Sequence, residues 1–302
     1  MRLARALIGI ALLCAVPWRV QAQRSPQASA PSATSLPDSI SRPFIPGGRW
    51  LPTMPTMPTM PAMPATGDMP APADAFPAQL MSADGVPYFT RPNGLLLRTG
   101  ASVFQLSLRR DTASIPMGIR SLVVSETMLG GVPGWLIAES RTGTAVVTTD
   151  SLYVHRSDLM PERWGATIGR SQLAVSFTPD SMFAAVQDYQ GRGSFSAAIP
   201  AGALLTAGMI DKVLELLPLA RDYRSAASLV LVDAGAPTVL PAELMVEREE
   251  GVALLDRLVD CWVVVLRAGS LEKRYWVSKD APRVVKSEQG TSRGVLTAIL
   301  QS

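Results

Sequence analysis

The chain has 302 residues, and its formal net charge of +3 arises from 28 lysines and arginines against 25 aspartates and glutamates. Arg2, Arg5 and Arg19 account for that whole excess, so the sequence after residue 22 is neutral. A neutral chain offers no electrostatic footprint for nucleic acid, which we therefore exclude as a partner. The single histidine excludes a multi-histidine metal site, and the two cysteines exclude a disulfide scaffold. We expect neither a metal nor a cofactor.

Residues 1–22 have the pattern of a secretory signal peptide. Arg2 and Arg5 precede an apolar core over residues 6–16, which is too short to span a bilayer. The sequence Val20-Gln21-Ala22 has the small residues of a cleavage site. We therefore predict cleavage after Ala22 and a periplasmic or extracellular location.

Cys14 leaves lipidation as an open alternative. A lipoprotein signal needs a small residue before the acylated cysteine, whereas this chain has Leu13, and Cys14 lies in the middle of the apolar core. No later run of about 18 apolar residues follows, so we predict that the mature chain does not span a membrane.

Residues 23–90 form a predicted linker rich in proline, methionine and alanine. Four tripeptides of the Thr-Met-Pro type repeat over residues 53–64, and most of the chain's 25 prolines lie in this stretch. Proline lacks the backbone donor that helices and sheets need, which predicts disorder or polyproline II. In polyproline II the methionines would lie about 9 Å apart, too far to share one copper ion, so we interpret the repeat as a spacer.

Residues 91–302 form one predicted domain of short alternating runs. Leu173, Val175 and Phe177 alternate with smaller or polar residues, and glycine or aspartate marks the joints between such runs. This pattern is typical of an antiparallel sheet. The stripe Ile210, Val213, Leu214 and Leu217 instead predicts an amphipathic helix of about ten residues that Pro218 ends. The predicted fold is mainly β, a single curved antiparallel sheet or half-barrel with one helix in its concave face.

Two C-terminal segments carry a resemblance to a known fold family. Residues 260–265 and 273–286, with their Tyr275-Trp276-Val277 motif, resemble the last hairpin of bacterial envelope proteins with a β half-barrel fold. The chain is similar in this respect to the LolA and LolB lipoprotein carriers and to an uncharacterised secreted half-barrel family. The resemblance implies a hydrophobic cavity between sheet and helix that holds acyl chains or other apolar ligands.

Large aromatic side chains and the helix stripe are the candidate cavity-lining residues. An aromatic ring can line an apolar cavity while its N–H stays hydrogen-bonded, although the same residues also suit an ordinary core. The candidates are Trp135, Trp164, Phe177, Ile210, Val213, Leu214, Leu217, Trp262 and Trp276. We predict a non-enzymatic cell-envelope protein that binds a hydrophobic ligand or a lipidated partner. The alternative is a protein–protein interaction module with a filled core.

Two enzyme-like motifs lack the residues that their chemistry needs. Residues 290–294 fit G-x-S-x-G, but no histidine follows them and the only one is His155, so we predict a hairpin turn. Asp233-Ala234-Gly235 resembles an aspartic protease signature, with Ala234 where a threonine or serine belongs. An aspartic-type protease is therefore only a remote alternative, and we predict no catalytic residue.

Overall fold

The structure is a computed structural model, and it describes residues 81–143, 147–188, 191–200, 204–233, 236–255 and 257–301. The signal peptide, Cys14, the Thr-Met-Pro repeat and the greater part of the predicted linker lie outside the described residues. The elements are a 3-10 turn at Gly94–Leu96, the helix α1 (Ile210–Leu214) and the strands β1 (Gly100–Arg110), β2 (Ala113–Leu129), β3 (Val132–Gly143), β4 (Thr148–His155), β5 (Pro161–Ile168), β6 (Ser171–Phe177), β7 (Ser181–Asp188), β8 (Gly191–Ala198), β9 (Leu204–Thr206), β10 (Arg224–Asp233), β11 (Ala236–Leu254), β12 (Arg257–Ala268), β13 (Leu271–Ser278), β14 (Val284–Thr291) and β15 (Gly294–Leu300).

All fifteen described strands belong to one sheet. Its order is β8-β7-β6-β5-β4-β3-β2-β1-β15-β14-β13-β12-β11-β10-β9, and every pairing is antiparallel except that of β9 with β10. The described sheet is not closed, because β8 and β9 are its edges. It is strongly curved, since β11 contacts β7 and β8 from near the opposite end of the strand order. The prediction of a curved antiparallel half-barrel is confirmed.

The apolar residues that alternate along the sequence are the residues that are buried in the strands. In β6, Leu173, Val175 and Phe177 are buried while Gln172, Ala174 and Ser176 are exposed. Successive side chains of a strand point to opposite faces of the sheet, so one face of β6 packs into the core. We call this buried face, against which α1 also packs, the inner face of the sheet.

The G-x-S-x-G motif lies in a hairpin, as predicted. Thr291 at the end of β14 pairs with Gly294 at the start of β15, and two residues make the turn between them. The Thr291 hydroxyl donates a hydrogen bond of 2.8 Å to the Gly294 carbonyl. A nucleophile elbow requires a strand followed by a helix, which is not the arrangement at this position.

The helix α1 lies where the apolar stripe predicted it, but it covers only five residues. Ile210, Val213 and Leu214 are buried within it, and Leu217 is buried in the turn that follows. The Leu216 N–H bonds to the Val213 carbonyl three residues back, which tightens the chain out of the helix. Pro218 then disfavours helical geometry at the residue before it, so the chain cannot resume the helix after this turn.

Residues 81–90, which the sequence placed in the linker, are packed on the sheet. Tyr88 forms a parallel bridge with Ala226 of β10, and Phe89 is buried in the hydrophobic core. The following 3-10 turn approaches β3, where the Trp135 indole N–H donates a hydrogen bond of 2.9 Å to the Gly94 carbonyl. A side chain at Gly94 would meet the Arg156 carbonyl at 2.4 Å, so this close approach requires glycine. The turn therefore covers Trp135.

Candidate functional site: a charge cluster on the inner face

Charged side chains occupy inner-face positions on four strands. Arg120 alternates in phase with Leu122, and Glu139 alternates in phase with Ile137. Asp150 of β4 and Lys273 of β13 are likewise two residues from buried apolar side chains. The helix contributes Asp211, which is 1% exposed. The interior charge cluster is defined as Arg120, Glu139, Arg141, Asp150, Asp211 and Lys273.

Arg120 is the centre of the cluster. It is 3% exposed, and its two terminal nitrogens donate to two different carboxylates. Nη1 lies 2.6 Å from Asp211 Oδ2, and Nη2 lies 2.7 Å from Glu139 Oε2. Arg141 bonds to the second Glu139 oxygen, Oε1, at 2.5 Å. Because Asp211 lies on α1 and Arg120 lies on β2, the charge-assisted hydrogen bond between them links the helix to the sheet.

The pKa values of the paired groups show how the cluster keeps its charges. Burial alone would raise the pKa of Glu139, but the guanidinium groups of Arg120 and Arg141 outweigh it and hold that pKa at about 2. The same opposition between burial and Arg120 leaves the pKa of Asp211 below its usual range. Burial acts against the charge of Arg120, yet Asp211 and Glu139 raise its pKa well above normal. These three groups are therefore ionised at neutral pH.

Asp150 is the carboxyl group of the cluster that is not paired with a cation among the described residues. Its Oδ1 accepts a hydrogen bond of 3.4 Å from the Trp164 indole N–H. Burial, together with the negative charge of Glu139, raises the pKa of Asp150 to about 6. The charged form of Asp150 is therefore less stabilised than the charged forms of Glu139 and Asp211, and its pKa lies close to neutral pH.

Lys273 has no hydrogen-bond or ion-pair partner among the described residues. Its ammonium lies 4.6 Å from the centre of the Tyr275 ring. Burial lowers the pKa of Lys273 to about 8, against the attraction of Asp211. The side chain is nevertheless only half-buried, whereas Tyr275 is 1% exposed. Lys273 thus places a partly exposed cation, without an ion-pair partner in the described part of the chain, on the inner face.

Two further atoms of the cluster have no partner among the described residues. They are Arg120 Nε and Asp211 Oδ1, and both are fully buried. A buried polar group without a partner costs about 1–3 kcal/mol, and more where the group is charged. The cluster is therefore well paired at its centre and incompletely satisfied at its edge.

Most of the predicted cavity-lining residues lie on the inner face, on α1 or in the turn that follows α1. Their side chains are between 0% and 8% exposed, so they pack against one another and against the rest of the core. Those in this group are Trp135, Trp164, Phe177, Ile210, Val213, Leu214 and Leu217. Trp164 connects this apolar wall to the charge cluster through its bond to Asp150.

Trp276 and Trp262 differ from the other candidates. Trp276 follows Tyr275 in β13 and so points to the opposite face, where the Lys286 ammonium lies 4.1 Å from the centre of its ring. Trp262 is half-buried and lines a surface groove of about 350 Å³. Both tryptophans therefore carry a lysine above the ring, since Lys279 lies 4.3 Å from the centre of the Trp262 ring.

The remaining chemically active side chains do not form a catalytic arrangement among the described residues. His155 is exposed at the end of β4, with its Nε2 3.6 Å from a Glu162 carboxylate oxygen. Cys261 is a buried free thiol whose pKa burial raises to about 11. Ala234 and Gly235 of the protease-like motif lie outside the described residues. The described part of the chain contains no cluster of three or more potential metal ligands.

Comparisons with known proteins give a structural similarity but no sequence match. Neither the protein-family models nor the curated protein sequences contain a match to this chain. Among solved structures, the chain is similar to a beta-barrel-like protein of domain of unknown function DUF1849 from Brucella abortus. The match covers 66% of this chain and 94% of that chain, with 8% sequence identity and a TM-score of 0.41. We therefore define the class from this chain's own strands: a mainly-β protein built on one curved, unclosed sheet.

Membrane-spanning helices are absent from the described residues. None of the helical segments there combines the length and the apolar character that crossing a bilayer requires.

Proposed function

We propose that this protein is a non-enzymatic binding protein of the cell envelope that holds a hydrophobic ligand, or the lipid group of a partner, between α1 and the inner face. The observation that carries the proposal is the surface under the helix. Buried apolar side chains of α1 belong to the same hydrophobic core as aromatic residues of the inner face, among them Trp135, Trp164 and Phe177. The indole N–H groups of Trp135 and Trp164 are already bonded, so an apolar environment around these two rings leaves no indole donor unpaired.

The way α1 is attached supports a helix that moves when a ligand enters. A helix of five residues is far too short to be stable alone, and Met209, the N-cap residue before it, makes no side-chain cap. Polar contacts between the helix region and the sheet include the bond of Asp211 to Arg120 and that of the Glu215 carboxylate, which accepts from the Val284 N–H at 3.2 Å. Displacing α1 would expose apolar surface, and an acyl chain could cover it at a gain of about 0.8 kcal/mol per buried CH₂.

Native mass spectrometry of the full chain, purified without detergent, tests this proposal. We expect a bound apolar species that organic extraction removes, and a rise in melting temperature when dodecanoate or dodecanol is added to the extracted protein. A protein that carries no such species, and whose melting temperature neither compound changes, would overturn the proposal.

A second candidate, an interaction module with a filled core, is favoured by the burial of the predicted cavity residues. Eight of the nine are less than 9% exposed, and Trp262 is the exception. A large empty cavity would leave accessible surface on the side chains that line it. In this case neither amphiphile changes the melting temperature, and the protein instead binds a partner protein through its surface.

A further inference from the structure

We infer, building on the proposed function, that the ligand is an amphiphile with an acidic head group and that the interior charge cluster binds this head through Lys273. The acidic group is a carboxylate or a phosphate monoester on a single acyl or alkyl chain. Nothing in the apolar wall alone requires a charged ligand. The preference for an acidic head follows from how the charges of the cluster are already paired.

The carboxylates nearest to Arg120 are largely occupied. Both oxygens of Glu139 accept from arginines, and Asp211 uses Oδ2 to bind Arg120. The ammonium of Lys273 has three donors and is left with only a ring contact. The cluster therefore contains one cation whose hydrogen-bonding capacity no described residue uses.

The place of Lys273 suits a ligand head better than it suits a structural charge. Its side chain is half-buried although Leu266 and Gln289, its paired residues on the two adjacent strands, are buried, so part of it borders solvent-accessible space. An anionic oxygen in that space would accept from the ammonium at low dielectric, where such bonds are roughly twice as strong as neutral ones. Burial disfavours the charged lysine, and an anion beside it would remove that penalty.

The charges around Lys273 disfavour cationic and neutral head groups. A cationic head would meet Arg120 and Arg141, which act on Lys273 itself with like charge. A neutral head could accept a hydrogen bond but would leave the positive charge of the ammonium uncompensated. An acidic head at Lys273 would also lie near the helix. The carboxylate of Asp211 is close enough to attract the Lys273 ammonium, and apolar residues of α1 follow Asp211. The chain of the amphiphile could then run along the surface that α1 covers.

Binding of matched probes to the extracted full chain tests the inference. Isothermal titration would compare dodecanoate, dodecyl phosphate and dodecanol, which share one alkyl chain, with inorganic phosphate as a head group without a chain. We expect both acidic probes to bind at least tenfold more tightly than dodecanol, and inorganic phosphate to bind much more weakly than dodecyl phosphate. The Lys273→Met variant keeps the aliphatic stem and should lose about tenfold in affinity for the acids, with dodecanol unchanged. Lys273→Arg should restore most of the loss.

Lys286→Met is the matched control. Lys286 also lies over an aromatic ring, that of Trp276, but on the opposite face of the sheet. Its removal should leave all four affinities unchanged. Equal binding of dodecanol and dodecanoate to the wild type would overturn the inference while the proposed function stands. Inorganic phosphate binding as tightly as dodecyl phosphate would also overturn it. If none of the alkyl probes binds, both the inference and the proposed function fail.

Discussion

Charged residues on the two faces of the sheet have opposite environments. On the inner face, Arg120, Glu139 and Asp211 are between 1% and 4% exposed, and they form a compact network. On the outer face, Arg274 bonds to Glu247 and Glu272, with side chains 30–42% exposed. Surface pairs are worth about 0–1 kcal/mol, whereas breaking a buried pair costs about 3–5 kcal/mol. The two faces carry the same types of charged residue. Removing one charge from the inner face should lower the free energy of unfolding several-fold more than removing one from the outer face.

The largest effect should come from removing the centre of the inner network. Arg120→Met leaves Glu139 and Asp211 buried without their main partner and should lower the free energy of unfolding by about 3–5 kcal/mol. Arg274→Met on the outer face is the matched control and should cost less than about 1 kcal/mol. Urea unfolding of both variants measures the difference. Equal losses would show that the two faces do not differ.

Acid should weaken the inner face through Glu139. Its pKa is held at about 2 in the folded protein, below the usual value of 4.5, so its contribution is present above pH 4.5 and lost as the pH falls toward 2. The full loss corresponds to about 3 kcal/mol. Urea unfolding at pH 6, 4 and 3 should show this decline. The Glu139→Gln variant should be less stable at pH 6 and should show a flatter pH profile; an unchanged slope in that variant would contradict the assignment.

Asp150 should have the opposite pH dependence. Its folded pKa of about 6 lies above the usual 3.8, so the stability linked to its protonation is complete below pH 3.8 and is lost as the pH rises through 6. Asp150→Asn keeps the acceptor for Trp164 and cannot ionise. We expect it to exceed the wild type by about 1–2 kcal/mol at pH 8, after allowance for its partial exposure, with the advantage shrinking toward pH 4. A constant difference across this range would show that Asp150 does not titrate as described.

The sequence predicted the fold because apolar alternation records burial directly. The buried positions of β6 are Leu173, Val175 and Phe177, as the alternation indicated. The stripe from Ile210 to Leu217 located the helix but not its length, because a period of apolar residues does not show where backbone hydrogen bonds end. Trp276 lies on the opposite face from Tyr275, and alternation alone does not tell which face of a doubly buried strand meets the helix.

The charge cluster was missed because its members are distant in sequence. Arg120 and Asp211 are 91 residues apart, and a charged residue in a strand is ordinarily assigned to the solvent face. The spacing along each strand could have revealed them. Arg120 and Lys273 each stand two residues from a buried apolar side chain, which places them on the same face of the sheet as that side chain. That spacing does not show which residues contact each other, because the contact between β2 and α1 depends on the curvature of the whole sheet.

The smallest predicted effect distinguishes a ligand-binding lysine from a structural one. If Lys273 served the fold, its removal would destabilise the protein. Because burial lowers its pKa to about 8 and no described residue pairs with it, we expect Lys273→Met to raise the free energy of unfolding of the ligand-free protein by about 1 kcal/mol at pH 7, after allowance for its half-buried position. Lys286→Met should not stabilise, because that lysine is ion-paired with Glu288 on the outer face. Natural binding sites often keep such unfavourable charges because the ligand uses them. A loss of stability in Lys273→Met, measured by urea unfolding without ligand, would instead assign Lys273 to the structural network of Arg120.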